Sequence, residues 1–180
     1  MLLDILKFPE PVLRQVAKPV ENITGATVEF IENMVDTMYA APGVGLAAPQ
    51  VGLSRRIIVV DTDHEERGKH LLKLVNPVIC VAEGEVVTEE GCLSVTDYTA
   101  EVKRAETVEV VGLDENGQEI RIETDGFLAV VLQHEIDHLD GKLFIDRISR
   151  LKRELYVRKI KKLARAGKSP EEPERQGVGL

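Results

Sequence analysis

Residues 124–141 read TDGFLAVVLQHEIDHLDG, and two properties of that stretch pull against each other. Phe127, Leu128, Val130, Val131, Leu132, Ile136 and Leu139 spread around the whole helical wheel, and a helix apolar on all sides belongs in a protein interior. Its second half nevertheless carries His134, Glu135, Asp137 and His138. Burying such groups without partners costs several kcal/mol each, so something must compensate them. Asp125 suits the N-cap of this helix, and Gly141 suits the left-handed residue just past its end. Positions four apart share a helix face, so His134 and His138 can address a single cation. Glu135 lies about 100° around from His134, beside such an ion rather than bonded to it. This is the H-E-x-x-H arrangement: two imidazole ligands with a carboxylate placed for proton transfer. Two ordinary histidines would show the same spacing, but on so apolar a helix they would be costly.

The rest of the composition limits what the chain can be. Its 180 residues suit one domain with a full core, and 43% apolar content is ordinary for a globular protein. We expect residues 1–166 to form a single catalytic domain and residues 167–180, rich in Pro, Glu and Gly, to form a disordered tail. No apolar run approaches the roughly 18 residues that span a bilayer, and MLLDILKFPEP has neither a basic n-region nor a cleavage site. With only Cys80 and Cys92, a disulfide scaffold is not expected, and the expected location is the reducing cytoplasm. A net charge of −8 argues against DNA binding. The basic cluster Lys152, Arg153, Arg158, Lys159, Lys161, Lys162 and Arg165 leaves room for a local anionic contact.

Along the chain, residues 1–10 read as a short strand or extended arm, and Pro11-Val12-Leu13-Arg14 as a helical turn. Val28, Ile31, Val35 and Met38 give an amphipathic helix over 27–39, stopped by Pro42 and Gly43. The small residues of GVGLAAPQ (43–50) mark a close approach of the backbone to another backbone or a ligand. Strands are expected at 56–61, at 71–81 with an interruption at Asn76-Pro77, at 83–88, and as a hairpin of 102–113 with 119–123. The hairpin turns at Asp114-Glu115-Asn116-Gly117, where Asn-Gly supplies positive φ. Cys80 reads as core packing within its apolar strand. Leu151, Leu155, Val157, Ile160 and Leu163 support a terminal helix ending at Gly167. The fold class is α+β: antiparallel strands wrapped around one buried metal-binding helix, with flanking N- and C-terminal helices.

Catalytic metal sites usually offer three protein ligands and an open position. Glu154 sits in no convincing second metal-binding helix, no third His follows in metzincin spacing, and His64 and His70 lie upstream in a polar loop. A thiolate remains, and Cys92 in EGCLS (90–94) stands out, although a lone Cys is more often simply packed in a core.

GVGLAAPQ, EGCLS and HEIDHLDG, in that order and at roughly forty-residue spacing, resemble the three signature motifs of peptide deformylase, over about residues 1 to 165. The helical basic end resembles the subclass that finishes in a helix. The resemblance implies a metallohydrolase that removes the formyl group from N-terminal formylmethionine of nascent polypeptides and releases formate. It implies Fe²⁺ held by Cys92, His134 and His138, with Zn²⁺, Ni²⁺ or Co²⁺ as substitutes. It further implies Glu135 as general base and acid towards metal-bound water, and Gln50 with the Leu93 N–H as donors to the formyl oxygen. Val44, Gly45, Glu90 and Gly91 are implied as substrate-binding positions. One departure is visible: EGCLS is followed by Val95-Thr96-Asp97-Tyr98 where family members carry a hydrophobic residue, Pro and Gly. It alters one wall of the cleft. Asp137 is expected to pair with Arg104. Two competing readings are an H-E-x-x-H endopeptidase, which lacks a third His or Glu ligand, and a closed structural zinc site of Cys80, Cys92, His134 and His138.

Overall fold

The computed structural model describes residues 1–63 and 66–165. The tail at 167–180 and the helix end at Gly167 lie outside the described residues. Among the described residues, seven strands and three α-helices follow one another. They are α1 (Gly25–Ala40), β1 (Gly45–Ala47), β2 (Ile57–Val60), β3 (Leu72–Glu83), β4 (Val86–Cys92), β5 (Val95–Arg104), β6 (Thr107–Leu113), β7 (Glu119–Asp125), α2 (Gly126–Leu139) and α3 (Arg150–Arg165). One sheet has the order β1-β2-β3-β6-β7 and a second pairs β4 with β5, every pairing within them antiparallel. The fold is α+β.

The unbroken apolar run of β2 follows from its place between two helices. Ile58 and Val60 face a core with Ala129, Val130, Leu132, Ile136 and Leu139 of α2, whereas Ile57 and Val59 face Ile31, Met34, Val35 and Met38 of α1. Every residue of α2 from Ala129 to Leu139 is buried, as the apolar wheel requires; Phe127, in the first turn, is exposed. A third core lies under β4 and β5, where Cys92, Val95 and Val102 meet Phe8, Leu13, Phe144, Tyr156 and Ile160.

Several expectations change in detail. The first ten residues form an arm without a strand, leading into a 3₁₀ turn at Pro11–Arg14. Asn76-Pro77 does not interrupt β3: the strand runs through with a register shift between Val75 and Val78, and Asn76 takes a φ of 53°. Bulges let a strand bend without ending. The stretch 102–113 is two strands in different sheets, broken at Ala105 and Glu106. The cause is tertiary: the Gln133 side chain of α2 accepts from Ala105 N–H and donates to Ala105 O, both at 2.9 Å, taking the place of a strand partner. At the β6–β7 turn only Gly117 has positive φ, and Asp114 Oδ1 accepts from the N–H groups of Asn116 and Gln118 at 2.8 Å. Cys80 is exposed, because β3 buries only part of its length. In α3 the buried side chains include Tyr156 and Ile160, while Leu151 and Leu155 face outward. Asp125 stands at the N-cap of α2 but its side chain accepts no capping bond.

Gly141 ends α2 as expected, at φ 70°, and packs against the backbone of the N-terminal 3₁₀ turn. A Cβ there would lie 2.6 Å from Arg14 O, a backbone atom that cannot swing away. Gly141→Ala is therefore expected to lower stability by about 1–3 kcal/mol, seen as a lower urea midpoint at constant m-value. An unshifted midpoint would show that the turn gives way freely.

Candidate metal centre

The site is assembled where α2 passes behind β1 and the β4–β5 turn. His138 brings Nε2 to 3.3 Å from the Cys92 sulfur, and ligand atoms of Cys92, His134 and His138 all lie within 4.8 Å of one another. All three residues are buried. The two rings are 5.0 Å apart at 70°, so their nitrogens converge instead of stacking.

Each histidine has a different neighbour. His134 Nδ1 lies 2.9 Å from Glu90 Oε2, while its Nε2 has no hydrogen-bond partner among the described residues. A carboxylate on one ring nitrogen fixes the tautomer and strengthens the other as a ligand. Burial disfavours charge on His134, but the Cys92 sulfur and Glu90 overcome it and push the imidazole up to about 10. Cationic charge at this point is what the surrounding groups favour. Burial and the nearby His134 push His138 well below its usual value; a neutral imidazole is the form that ligates a metal. His138 Nδ1 also has no partner among the described residues, and nothing in the structure accounts for it. One thiolate and two imidazoles, buried and aimed at a common point, fit a divalent cation of borderline softness.

Glu135 is fully buried, and both of its carboxylate oxygens lack a hydrogen-bond partner among the described residues. Burial pushes its carboxyl up to about 7. The side chain lies on Gly45, where a Cβ would come within 2.8 Å of the Glu135 carboxyl carbon. That close approach explains the second glycine of GVGLAAPQ. Gln50, in the 3₁₀ turn Ala48–Val51, accepts from Ala47 N–H through Oε1 at 2.7 Å. Its Nε2 therefore points at the Cys turn, 3.2 Å from Ser94 Oγ and 3.6 Å from the Cys92 sulfur. Ser94 N–H also donates to that sulfur, at 3.4 Å.

The expected Asp137–Arg104 pair is present at 2.6 Å, within a larger network. Arg104 binds both Glu90 oxygens, at 2.6 and 2.8 Å, and Arg147 grips Asp137 at 2.5 and 2.6 Å. Burial alone would raise both carboxyls, but Arg104 and His134 hold Glu90 below its usual range, as Arg147 and Arg104 do for Asp137. Both Glu90 oxygens are thus engaged with Arg104 and His134, and any role towards substrate falls to its backbone. Ser94 and Arg147 were not singled out from sequence; Ser94 sat in plain view inside EGCLS, whereas nothing local marks Arg147. Around the Cys turn, pairing jumps from Glu90↔Ala100 to Cys92↔Val95, so the surplus residues fall on β5, with Asp97 at φ 55°. Val44 is buried and its carbonyl accepts from Asp61 N–H, and Gly91 lies between the two buried residues Glu90 and Cys92. Cys80 is exposed on β3 and is not in the cluster, which removes the closed four-ligand zinc reading.

A buried Cys-His-His donor set with an adjacent unpaired carboxylate fits a metal-dependent hydrolase. The polypeptide deformylase family profile matches residues 2–154. The peptide deformylase of Thermodesulfovibrio yellowstonii is 54% identical over 160 residues, covering 89% of this chain and 97% of that protein. That of Halothermothrix orenii is 55% identical over 154 residues, covering 86% and 98%. The crystal structure of a peptide deformylase from Legionella pneumophila superposes with a TM-score of 0.83 at 46% identity, covering 93% of this chain and 98% of that one. The chain belongs to the polypeptide deformylase family, and it is a hydrolase.

Gly45→Ala is expected to displace the Glu135 carboxylate while leaving the Cys-His-His set intact. Hydrolysis should fall about 10²-fold with the bound-metal stoichiometry unchanged, since misplacing one group by about 1 Å has that effect. Full activity in the variant would mean that Glu135 has freedom the packing denies.

Proposed function

We infer that this protein hydrolyses the formamide of N-terminal formylmethionine on nascent polypeptides, yielding formate and a free amine. The observation that carries this reading is the Glu135 carboxylate, buried and unpaired beside the Cys92, His134 and His138 cluster. Those three residues would hold the cation, which supplies a Lewis acid and lowers the pKa of water towards ~7. Glu135 takes a proton from the attacking water and returns it to the departing amine nitrogen. Its carboxyl, pushed up to about 7 by burial, suits a group that must accept and then give a proton near neutrality. Gln50 Nε2 and the Leu93 N–H donate to the formyl oxygen as charge builds on it, each worth ~3–4 kcal/mol in comparable sites. Val44, Gly45 and Gly91 provide backbone for the peptide, and the Gly45 position next to Glu135 supports that role.

Iron in the ferrous state is the cation we assign, with Zn²⁺, Ni²⁺ or Co²⁺ as substitutes; one thiolate with two imidazoles accommodates all four. We take residues 1–166 as the catalytic domain and the cytoplasm as its location; no described helix is long and apolar enough to cross a membrane. The outer face of α3 exposes Lys152, Arg153, Arg158, Lys159, Lys161 and Lys162, a cationic surface suited to the ribosome.

Anaerobically prepared protein should release formate from formyl-Met-Ala-Ser, and Glu135→Ala should lower the rate by about 10²–10⁴-fold while still binding metal. Equal rates would remove Glu135 from the mechanism, and absence of formate from the parent protein would remove the activity. A thiolate-ligated ferrous centre is open to oxidation, so the Fe²⁺ form should lose activity in air while the Ni²⁺ form keeps it. Equal survival of both would argue against iron at Cys92.

A further inference from the structure

The N-terminal arm reaches both segments to which the formyl-oxygen donors are assigned. Leu6 N–H donates to Gln50 O at 2.7 Å, the Lys7 ammonium donates to Leu93 O at 2.7 Å, and Phe8 N–H donates to Ser94 O at 2.8 Å. Three consecutive residues thus grip two segments that lie more than forty positions apart. The direct tie between those segments runs through Gln50 Nε2 to Ser94 Oγ and the Cys92 sulfur, the same nitrogen that has to serve the substrate. An external brace is needed if the spacing is to persist while that nitrogen is engaged elsewhere.

Lys7 is the unusual member of the three. Fixing a lysine side chain costs rotamer entropy, and most exposed lysines leave their ammonium in water. Here the group is half-buried and makes a charge-assisted bond to a backbone carbonyl. Its root is held on both sides, by the Leu6 bond to Gln50 and by Phe8, which is buried against Tyr156 at 6.3 Å between ring centroids. The Leu93 carbonyl belongs to the same peptide group as Ser94 N–H, which donates to the Cys92 sulfur. A cation on the oxygen polarises that peptide and strengthens its N–H as a donor. One ammonium therefore fixes the Leu93 main chain and reinforces a hydrogen bond to the Cys92 sulfur.

We propose that Lys7 is a positioning residue for this reaction: with Leu6 and Phe8 it clasps the Cys turn to the Gln50 turn and sets the spacing of the two formyl-oxygen donors. The proposal rests on the deformylase reading above. Displaced donors lower transition-state stabilisation and leave ground-state binding alone, so the effect belongs in kcat.

The test compares the parent protein with Lys7→Met and Lys7→Arg, using formyl-Met-Ala-Ser and, in parallel, amide hydrogen exchange on the Zn²⁺-loaded protein. Lys7→Met should lower kcat about tenfold, less than the ~10²–10³ that outright loss of a donor costs, with KM little changed. The Leu93 and Ser94 amides should exchange about tenfold faster while the α2 amides stay protected. Lys7→Arg, which can still reach a carbonyl, should restore most of both. Parent-like kcat in Lys7→Met overturns the proposal. So does a fall in kcat accompanied by raised KM and faster exchange throughout the core, which would mark Lys7 as a general staple. Failure of the parent protein to release formate strikes instead at the deformylase reading, and the proposal falls with it.

Discussion

A helix packed on nearly every side has to find compensation inside the protein for each charge it carries, because burial strips most of the water from them. In α2 the groups in question are His134, Glu135, Asp137 and His138, all buried. Removing one member of a buried ion pair costs about 3–5 kcal/mol, so compensation has to be built into the surrounding elements. Much of the second layer of this fold can be read as that compensation. β4 and β5 bring Glu90, Cys92 and Arg104 to the helix, the segment after α2 brings Arg147, and β1 brings the glycine against which Glu135 rests.

The charges fall into two groups. Glu90 and Asp137 face Arg104 and Arg147, two carboxylates against two guanidiniums, linked in one chain that ends on His134. That group is electrically closed without help. Cys92 and Glu135 form the other, and among the described residues neither ion-pairs with a lysine or arginine. A dication held by the Cys92 sulfur and the two imidazoles would supply the positive charge that this group lacks, in keeping with the donor set. Buried ion pairs add little net stability compared with apolar packing. Their use here is geometric: Glu90 turns the His134 ring, and Arg104 fixes Glu90.

The placement of the helix's metal-site side chains was largely legible in the sequence because it depends on local spacing. His134 and His138 share a face by helix geometry alone, Gly45 announces a close approach, and Arg104 could be nominated for Asp137. What escaped depends on contacts between distant segments. The break between β5 and β6 leaves no local mark, since Ala105 is held by Gln133 from another element. Cys80 looks like a core residue in an apolar run, yet the far half of β3 is open to solvent. Leu151 and Leu155 fit a helical stripe, but α3 rests on its support through Tyr156 and Ile160. The arm from Leu6 to Phe8 carries no motif, and its place beside the Cys turn emerges only when the chain is folded.

The convergence of one sulfur and two imidazoles on a single ion is most directly examined by X-ray absorption at the metal edge of the Zn²⁺- or Fe²⁺-loaded protein. The account requires one sulfur at about 2.3 Å and two imidazole nitrogens at about 2.0–2.1 Å, with a remaining ligand that exchanges with solvent. A shell without sulfur, or one with two sulfurs and no exchangeable ligand, would contradict it.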